Sequence, residues 1–377
     1  MVWACFSILI LVLTIFGEKK YSPNYRWVLS RILLVVVMSI MTGFGSVVGE
    51  DHETYVSLYR ETTRWDLNFN VLALFTKYSI EPGFQLLNLL GKAFHLSEPI
   101  FFFMIACLMN SLFVAVLYRY PLPELSIIAF VLSSCYFQEV NILRQSIAIA
   151  IVLFSVGSLE KKKPWSFILG LLIASTFHTS AIICLPMVLL QFVDLVKHSK
   201  TIMYAVLILW VLSILSFAGV IGIPIMGPLT NVLGDSRYKN YFEQMSDLGY
   251  GVMSLNLFYN VLMLFIIYSM RRKASVSSIW VALGCILQNF SGQFPPLIRI
   301  SLFFTSLMPL SLGIFLLVKK PKGAVVSRGR FKESGKVEFY SKRAIVYSRR
   351  AILAYYMLSL VVGYIAGSPI LGSDFYK

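Results

Sequence analysis

The sequence predicts an all-α, polytopic transmembrane helical bundle of about twelve spans, and three observations carry that prediction. Hydrophobic residues fill 58% of the 377 positions and charged residues only 14%. A soluble domain keeps about a quarter of its residues charged, so no water-facing surface of ordinary polarity can be assembled here. The apolar residues also come in continuous blocks of about 15–21, close to the length that crosses ~30 Å of hydrocarbon as a helix. A β-barrel would need roughly ten-residue stretches of alternating polarity instead. The third observation is where the net charge of +15 lies. Eleven of the 33 basic residues fall between Lys319 and Arg350, and ten more cluster in short loops around 19–20, 161–163, 197–200 and 271–273. Such clusters orient a membrane protein and touch anionic head groups, rather than form a nucleic-acid face.

In chain order, 2–17 is the first span. It lacks a basic segment before it and a small-x-small site after it, so it reads as a helix and not a signal peptide. A second span covers 28–48. Residues 49–98 form an extracytoplasmic loop containing a re-entrant or interfacial helix at 81–96, apolar but short and polar-spotted. Counting that stretch as a span would put the 161–163 loop outside. Spans follow at 99–118, 124–140 and 145–159. The apolar run 165–193 is too long for one crossing, and Phe177-His178-Thr179 marks its turn, giving a hairpin of 165–177 and 179–194. Next come a span at 202–221, a second extracytoplasmic loop at 222–253, and spans at 254–270, 278–292 and 298–318. The basic loop 319–350 is cytoplasmic, and 351–371 closes the bundle. Both termini lie outside. Residues 1–377 form a single integral membrane domain without an internal repeat. Cys5, Cys107, Cys135, Cys184 and Cys285 fall within apolar spans and read as packing residues.

Polar residues placed where they cost energy are the informative ones, since a charge at mid-bilayer costs about 2.5–3.5 kcal/mol. This topology sends Arg60, Arg64, Arg144, Arg237 and Arg299 to the outer face. Arg144, Arg237 and Arg299 sit near helix ends beside apolar sequence. Each alone reads equally well as a snorkelling or acid-paired residue. Three from distant segments point to a shared anionic ligand, because a guanidinium fork meets two phosphate oxygens at once. His178, at the outer turn of the hairpin, is either a general base or a hydrogen-bonded cap. Glu81-Pro82 looks like a helix start, and Asp51 is either a loop acid or an arginine partner. Trp65, Tyr238, Tyr241 and Phe242 belong to an interfacial belt or stack on sugar rings. No zinc signature, phosphate-binding glycine loop, nucleophile elbow or Asp-x-Asp pair is present.

The order Gly49-Glu-Asp51…Tyr55, Glu81-Pro-Gly-Phe84, Ile142-Leu-Arg-Gln145, Phe177-His-Thr-Ser-Ala181 and Arg299-Ile300 resembles the EpsG/Wzy-type polysaccharide polymerases over roughly 49–305. The Gly49-Glu-Asp51 loop departs from the family pattern by continuing into the charged His52-Glu53. The resemblance implies a bacterial inner-membrane glycosyltransferase of GT-C-like architecture. Such an enzyme joins undecaprenyl-diphosphate-linked oligosaccharide units into O-antigen, capsule or exopolysaccharide at the periplasmic face. It implies His178 as the base, Arg144 and Arg299 on the donor diphosphate, and Gln145, Arg237, Tyr241, Asp51, Glu81 and Tyr55 in substrate binding, with Asp51 or Glu81 orienting the histidine or an arginine. No cofactor or metal is required. The partners implied are lipid-linked donor and acceptor, membrane lipid and a chain-length regulator, with no nucleic acid. The rival is a lipid-linked oligosaccharide flippase, which calls for charges at several depths and related halves. A membrane O-acyltransferase fits less well, since its histidine works from the cytoplasm.

Overall fold

A computed structural model describes residues 2–17, 25–43, 52–62, 81–132, 136, 142–220, 249–271, 273–291 and 296–316. These are helical, with no strand among the described residues. The order begins α1 (Val2–Phe16), α2 (Arg26–Gly43), α3 (His52–Glu61), α4 (Pro82–Ala93), α5 (Glu98–Leu117) and α6 (Pro123–Leu132). It continues with α7 (Leu143–Glu160), α8 (Pro164–Ser175), a 3-10 helix (Thr179–Phe192) and α9 (Ser199–Phe217). It closes with α10 (Gly249–Met270), α11 (Val276–Phe290), α12 (Pro296–Thr305), α13 (Leu307–Leu310) and α14 (Leu312–Leu316). Among the described residues, four helices (α2, α5, α7 and α9) are long and apolar enough to cross a membrane, beside several shorter apolar ones.

The surface has inverted polarity. Trp165, Leu169, Leu189, Phe192 and Ile208 are exposed, while Asn88, Asn110, Asn289, Gln145 and Gln288 are buried. That is the arrangement a hydrocarbon solvent selects. Inside, Trp210 donates to Asn260, and Asn260 and Asn289 exchange amide hydrogen bonds at 2.9 Å, so α9, α10 and α11 are tied by matched polar groups.

Local chemistry explains the boundaries. Proline opens α4, α5 and α8 in the first turn, where its missing N–H costs nothing. Ser275 begins α11 with a capping box to Ser278. One expectation needs correction, and one helix is additional. The apolar stretch 298–318 is not one helix: α12 ends at Thr305, and α13 and α14 follow as short turns. Pro309 supplies no N–H for the Thr305 carbonyl, and its ring crowds that group. Within the loop 49–98, α3 was not anticipated. Its Tyr55, Val56 and Tyr59 are buried, and Tyr59 stacks on Phe101 at 4.1 Å. The expected span 351–371, the loop 319–350 and most of the loop 222–253 lie outside the described residues.

The bundle has two distinct ends. Lys161, Lys162 and Lys163 form the turn between α7 and α8. At that end the hydroxyls of Ser277 and Tyr120 meet Glu160, and Gln191 Nε2 donates to the Leu159 carbonyl at 2.8 Å. These contacts gather the carboxyl ends of α5, α7 and the 3-10 helix with the start of α11. The opposite end gathers the starts of α4, α7 and α12 with the turn after α8.

The segment after that turn winds as a 3-10 helix for 14 residues, far beyond the usual run of such helices. Its buried residues are Ala181, Cys184 and Met187. A spacing of three matches three residues per turn, so one narrow stripe of small or pliant side chains packs inward. At ~2.0 Å per residue the element reaches about 28 Å, nearly a bilayer core.

Candidate active site

At the end away from the lysine turn, three charged side chains from three segments meet. Arg144, in the first turn of α7, donates Nη1 to Glu81 Oε2. His178 Nδ1 lies 3.1 Å from Glu81 Oε1. The carboxylate therefore holds an arginine with one oxygen and an imidazole with the other. All three are partly buried: the side chains of Glu81, His178 and Arg144 are 14%, 24% and 29% exposed.

The backbone dictates this meeting. Glu81 occupies the N-cap of α4 but makes no side-chain cap bond, so its carboxylate is free to reach outward. Gly83 N–H donates to the Thr176 carbonyl at 2.7 Å, fastening the start of α4 to the turn that carries His178. A Cβ at position 83 would stand 2.5 Å from Thr176 Oγ1 and 2.8 Å from its carbonyl oxygen, so only glycine allows that approach. His178 itself is extended, with φ −156°, between α8 and the 3-10 helix.

Burial alone pushes the Glu81 carboxyl upward. The His178 hydrogen bond, a backbone hydrogen bond and the Arg144 charge outweigh it, and the group sits below the usual carboxylate range. An ionised carboxylate only accepts, so Nδ1 of His178 carries the hydrogen of their bond, and in the neutral ring Nε2 then keeps the lone pair. That is the tautomer a general base needs. Arg144 has a donor to spare: its Nε is buried and has no hydrogen-bond partner among the described residues. Its guanidinium carbon lies 5.9 Å from the Tyr55 ring centroid, and Tyr55 packs edge-on against Phe84 at 5.6 Å.

Other expected residues divide clearly. Gln145 is 2% exposed, and its Nε2 donates to the Arg299 carbonyl at 2.6 Å while its Oε1 has no partner. It thus ties α12 to α7 and brings the backbone of Arg299, an exposed residue, to the neighbour of Arg144. Arg60 instead forms a two-pronged pair with Glu98, both bonds 2.8 Å, at an exposed position. That is the acid-paired reading of an outer arginine, and exposed pairs of this kind contribute little. Asp51, Arg64, Arg237 and Tyr241 lie outside the described residues. Of the two acids expected to orient the histidine or an arginine, Glu81 contacts both; its strong helix-start signal gave no hint that it would hold the two together. No group of three or more histidine, cysteine, aspartate or glutamate residues is arranged for a metal among the described residues.

Residues 28–327, well over half the chain, match the model of the EpsG family. No curated protein and no solved structure matches the chain.

Proposed function

The chain belongs to the EpsG family, and from that premise we propose that it polymerises undecaprenyl-diphosphate-linked oligosaccharide units into a cell-surface polysaccharide (O-antigen, capsule or exopolysaccharide). The observation that carries this reading is the Glu81 carboxylate gripping both His178 and Arg144, beside a buried Arg144 Nε with no partner. A base held in one tautomer and an arginine with unused donors are the two parts a transfer from a lipid diphosphate requires.

In the proposed reaction, the acceptor hydroxyl gives its proton to His178 Nε2 as its oxygen attacks the anomeric carbon of the donor. The bond from that carbon to the phosphate oxygen breaks, and the diphosphate leaves with the electron pair. Arg144 and Arg299 stabilise the growing phosphate charge, an effect for which one lost donor typically costs about 2.7–4 kcal/mol. Glu81 holds the imidazole and stabilises its cation, as a carboxylate does in other base dyads. Arg237, Tyr241 and Asp51 complete the substrate contacts in this reading. Attack in one step inverts the anomeric centre.

The lysine-bearing end belongs in the cytoplasm by the positive-inside rule, which sets the site at the periplasmic or outer face of the inner membrane. The apolar run 351–371 and the shorter helices support a bundle of about twelve spans, and we assign it the GT-C-like plan. The reading is tested with purified protein in proteoliposomes, supplied with a lipid-diphosphate oligosaccharide. Wild type yields a ladder of longer glycans, while His178→Ala and Arg144→Ala fold and yield none. Full ladders from both variants overturn the site. Substrate crossing the bilayer with no new glycosidic bond would make the protein a flippase.

A further inference from the structure

Among the described residues, two carboxamides on α4 have no hydrogen-bond partner for any polar side-chain atom. Gln85 is 1% exposed and Asn88 0%, and their Nε2, Oε1, Nδ2 and Oδ1 atoms all lack hydrogen bonds. Buried amides are nearly always matched, because water lost on burial must be replaced. The same helix turns apolar residues outward: Leu86 and Leu90, on the opposite face, are 48% and 44% exposed. Amides inward and leucines outward suit a helix with lipid outside and a polar ligand within. Positions 81, 85 and 88 follow i, i+4 and i+7, so the amide face begins at the carboxylate that holds His178 and Arg144. Among the described residues, six buried side-chain atoms without hydrogen-bond partners belong to Gln85, Asn88, Arg144 and Gln145.

We propose that Gln85 and Asn88 form the sugar-binding subsite, reading the hydroxyl or acylamino groups of the ring presented to His178. This rests on the polymerase reading above. The chemistry of the orphans selects the ligand. Each amide offers a donor and an acceptor side by side, which matches vicinal hydroxyls or the N–H and C=O of an acylamino group. A diphosphate accepts only and would leave Oε1 and Oδ1 unmatched; a cation would leave both NH₂ groups unmatched. The diphosphate therefore goes to the arginine, whose orphan is a donor, and the sugar to the amides.

The test uses the full chain in nanodiscs with two probes: undecaprenyl diphosphate alone, and the lipid-diphosphate oligosaccharide extracted from producing cells. Gln85→Met and Asn88→Leu replace unpartnered amides with apolar groups of similar size, so unliganded Tm stays level or rises. The stabilisation by undecaprenyl diphosphate equals that of wild type. The added stabilisation from the sugar disappears, and KM rises about tenfold for each variant while kcat changes less. Gln85→Ala and Asn88→Ala give the same KM and sugar-dependent losses if a larger side chain blocks folding. A drop in Tm with unchanged KM overturns the subsite by making the amides structural, as does a sugar-dependent shift equal to that of wild type. If wild type polymerises and the variants keep its KM, the subsite alone fails. If wild type neither polymerises nor gains stability from either probe, the polymerase reading fails and takes the subsite with it.

Discussion

The two ends of this bundle use polar side chains in opposite ways. At the lysine-bearing end the hydroxyls converge on what they need: Ser277 and Tyr120 on Glu160, Ser199 on the Met270 carbonyl at 2.6 Å, Ser275 and Ser278 on each other's backbone. That end has orphans too, at Glu124 Oε2, Ser126 Oγ and Gln191 Oε1, but Gln191 still keeps a bond through its amide nitrogen. At the other end Gln85 and Asn88 match nothing, and Arg144 and Gln145 each keep one atom unmatched. An unsatisfied buried group costs about 1–3 kcal/mol. One end is built for stability; the other carries a cost that a ligand would offset. Binding and catalysis draw on that kind of unspent hydrogen-bonding capacity.

The contrast is broken or sharpened most strongly at His178. Removing it as His178→Ala should lower the polymerisation rate about 10²–10⁴-fold, with Tm nearly unchanged, as read by product ladders and thermal melts on one preparation. A parallel loss of Tm would put the histidine among the structural groups. Gly83→Ala comes next. The added methyl pushes α4 off Thr176, and a misplacement of that order costs about 10²-fold in rate. Equal rates for this variant and wild type would show that the fastening does not position Glu81.

Glu81→Gln keeps the shape and removes the charge, and here the sign can be worked through. The folded-state pKa is depressed, so the ion pair's stabilisation is present above the ordinary carboxylate value, about 4.3. It is lost as pH falls through the lowered folded value. Melting curves of wild type and Glu81→Gln should therefore differ at neutral pH and converge on acidification. A gap that persists below the carboxylate range contradicts the depressed value. The smallest effect belongs to the other end: Ser277→Ala should destabilise by about 1 kcal/mol and leave kcat per folded molecule alone. A kcat loss there would erase the distinction between the ends.

Much of the helical layout could be read from the chain because lipid imposes simple rules on length and polarity. The turn at Phe177-His178-Thr179, the hairpin it closes and the helix starting at Glu81-Pro82 all follow from apolar run length and proline placement. The arginine and histidine of the site were legible as costly polar residues at helix ends. What stayed hidden depended on pairing across long separations. Nothing local reveals that Glu81 reaches Arg144, 63 residues away, or that Gln145 spends its amide on the Arg299 carbonyl, 154 residues away. The burial of α3 is tertiary in origin too. Tyr59 is held by Phe101 and by the Leu96 carbonyl, which accepts its hydroxyl at 2.8 Å. The Pro309 break was visible in principle, but the apolar run around it outweighed a single proline.

The tightly wound segment that follows His178 makes the imidazole sensitive to length. Relaxed to an ordinary α-helix, its 14 residues would shorten from about 28 Å to about 21 Å. With Gln191 anchored at the far end, that contraction would draw the ring several ångströms away from its carboxylate. A deletion of one residue would instead rotate it by a third of a turn. The segment therefore acts as a ruler and a protractor together, setting both the height and the heading of the imidazole.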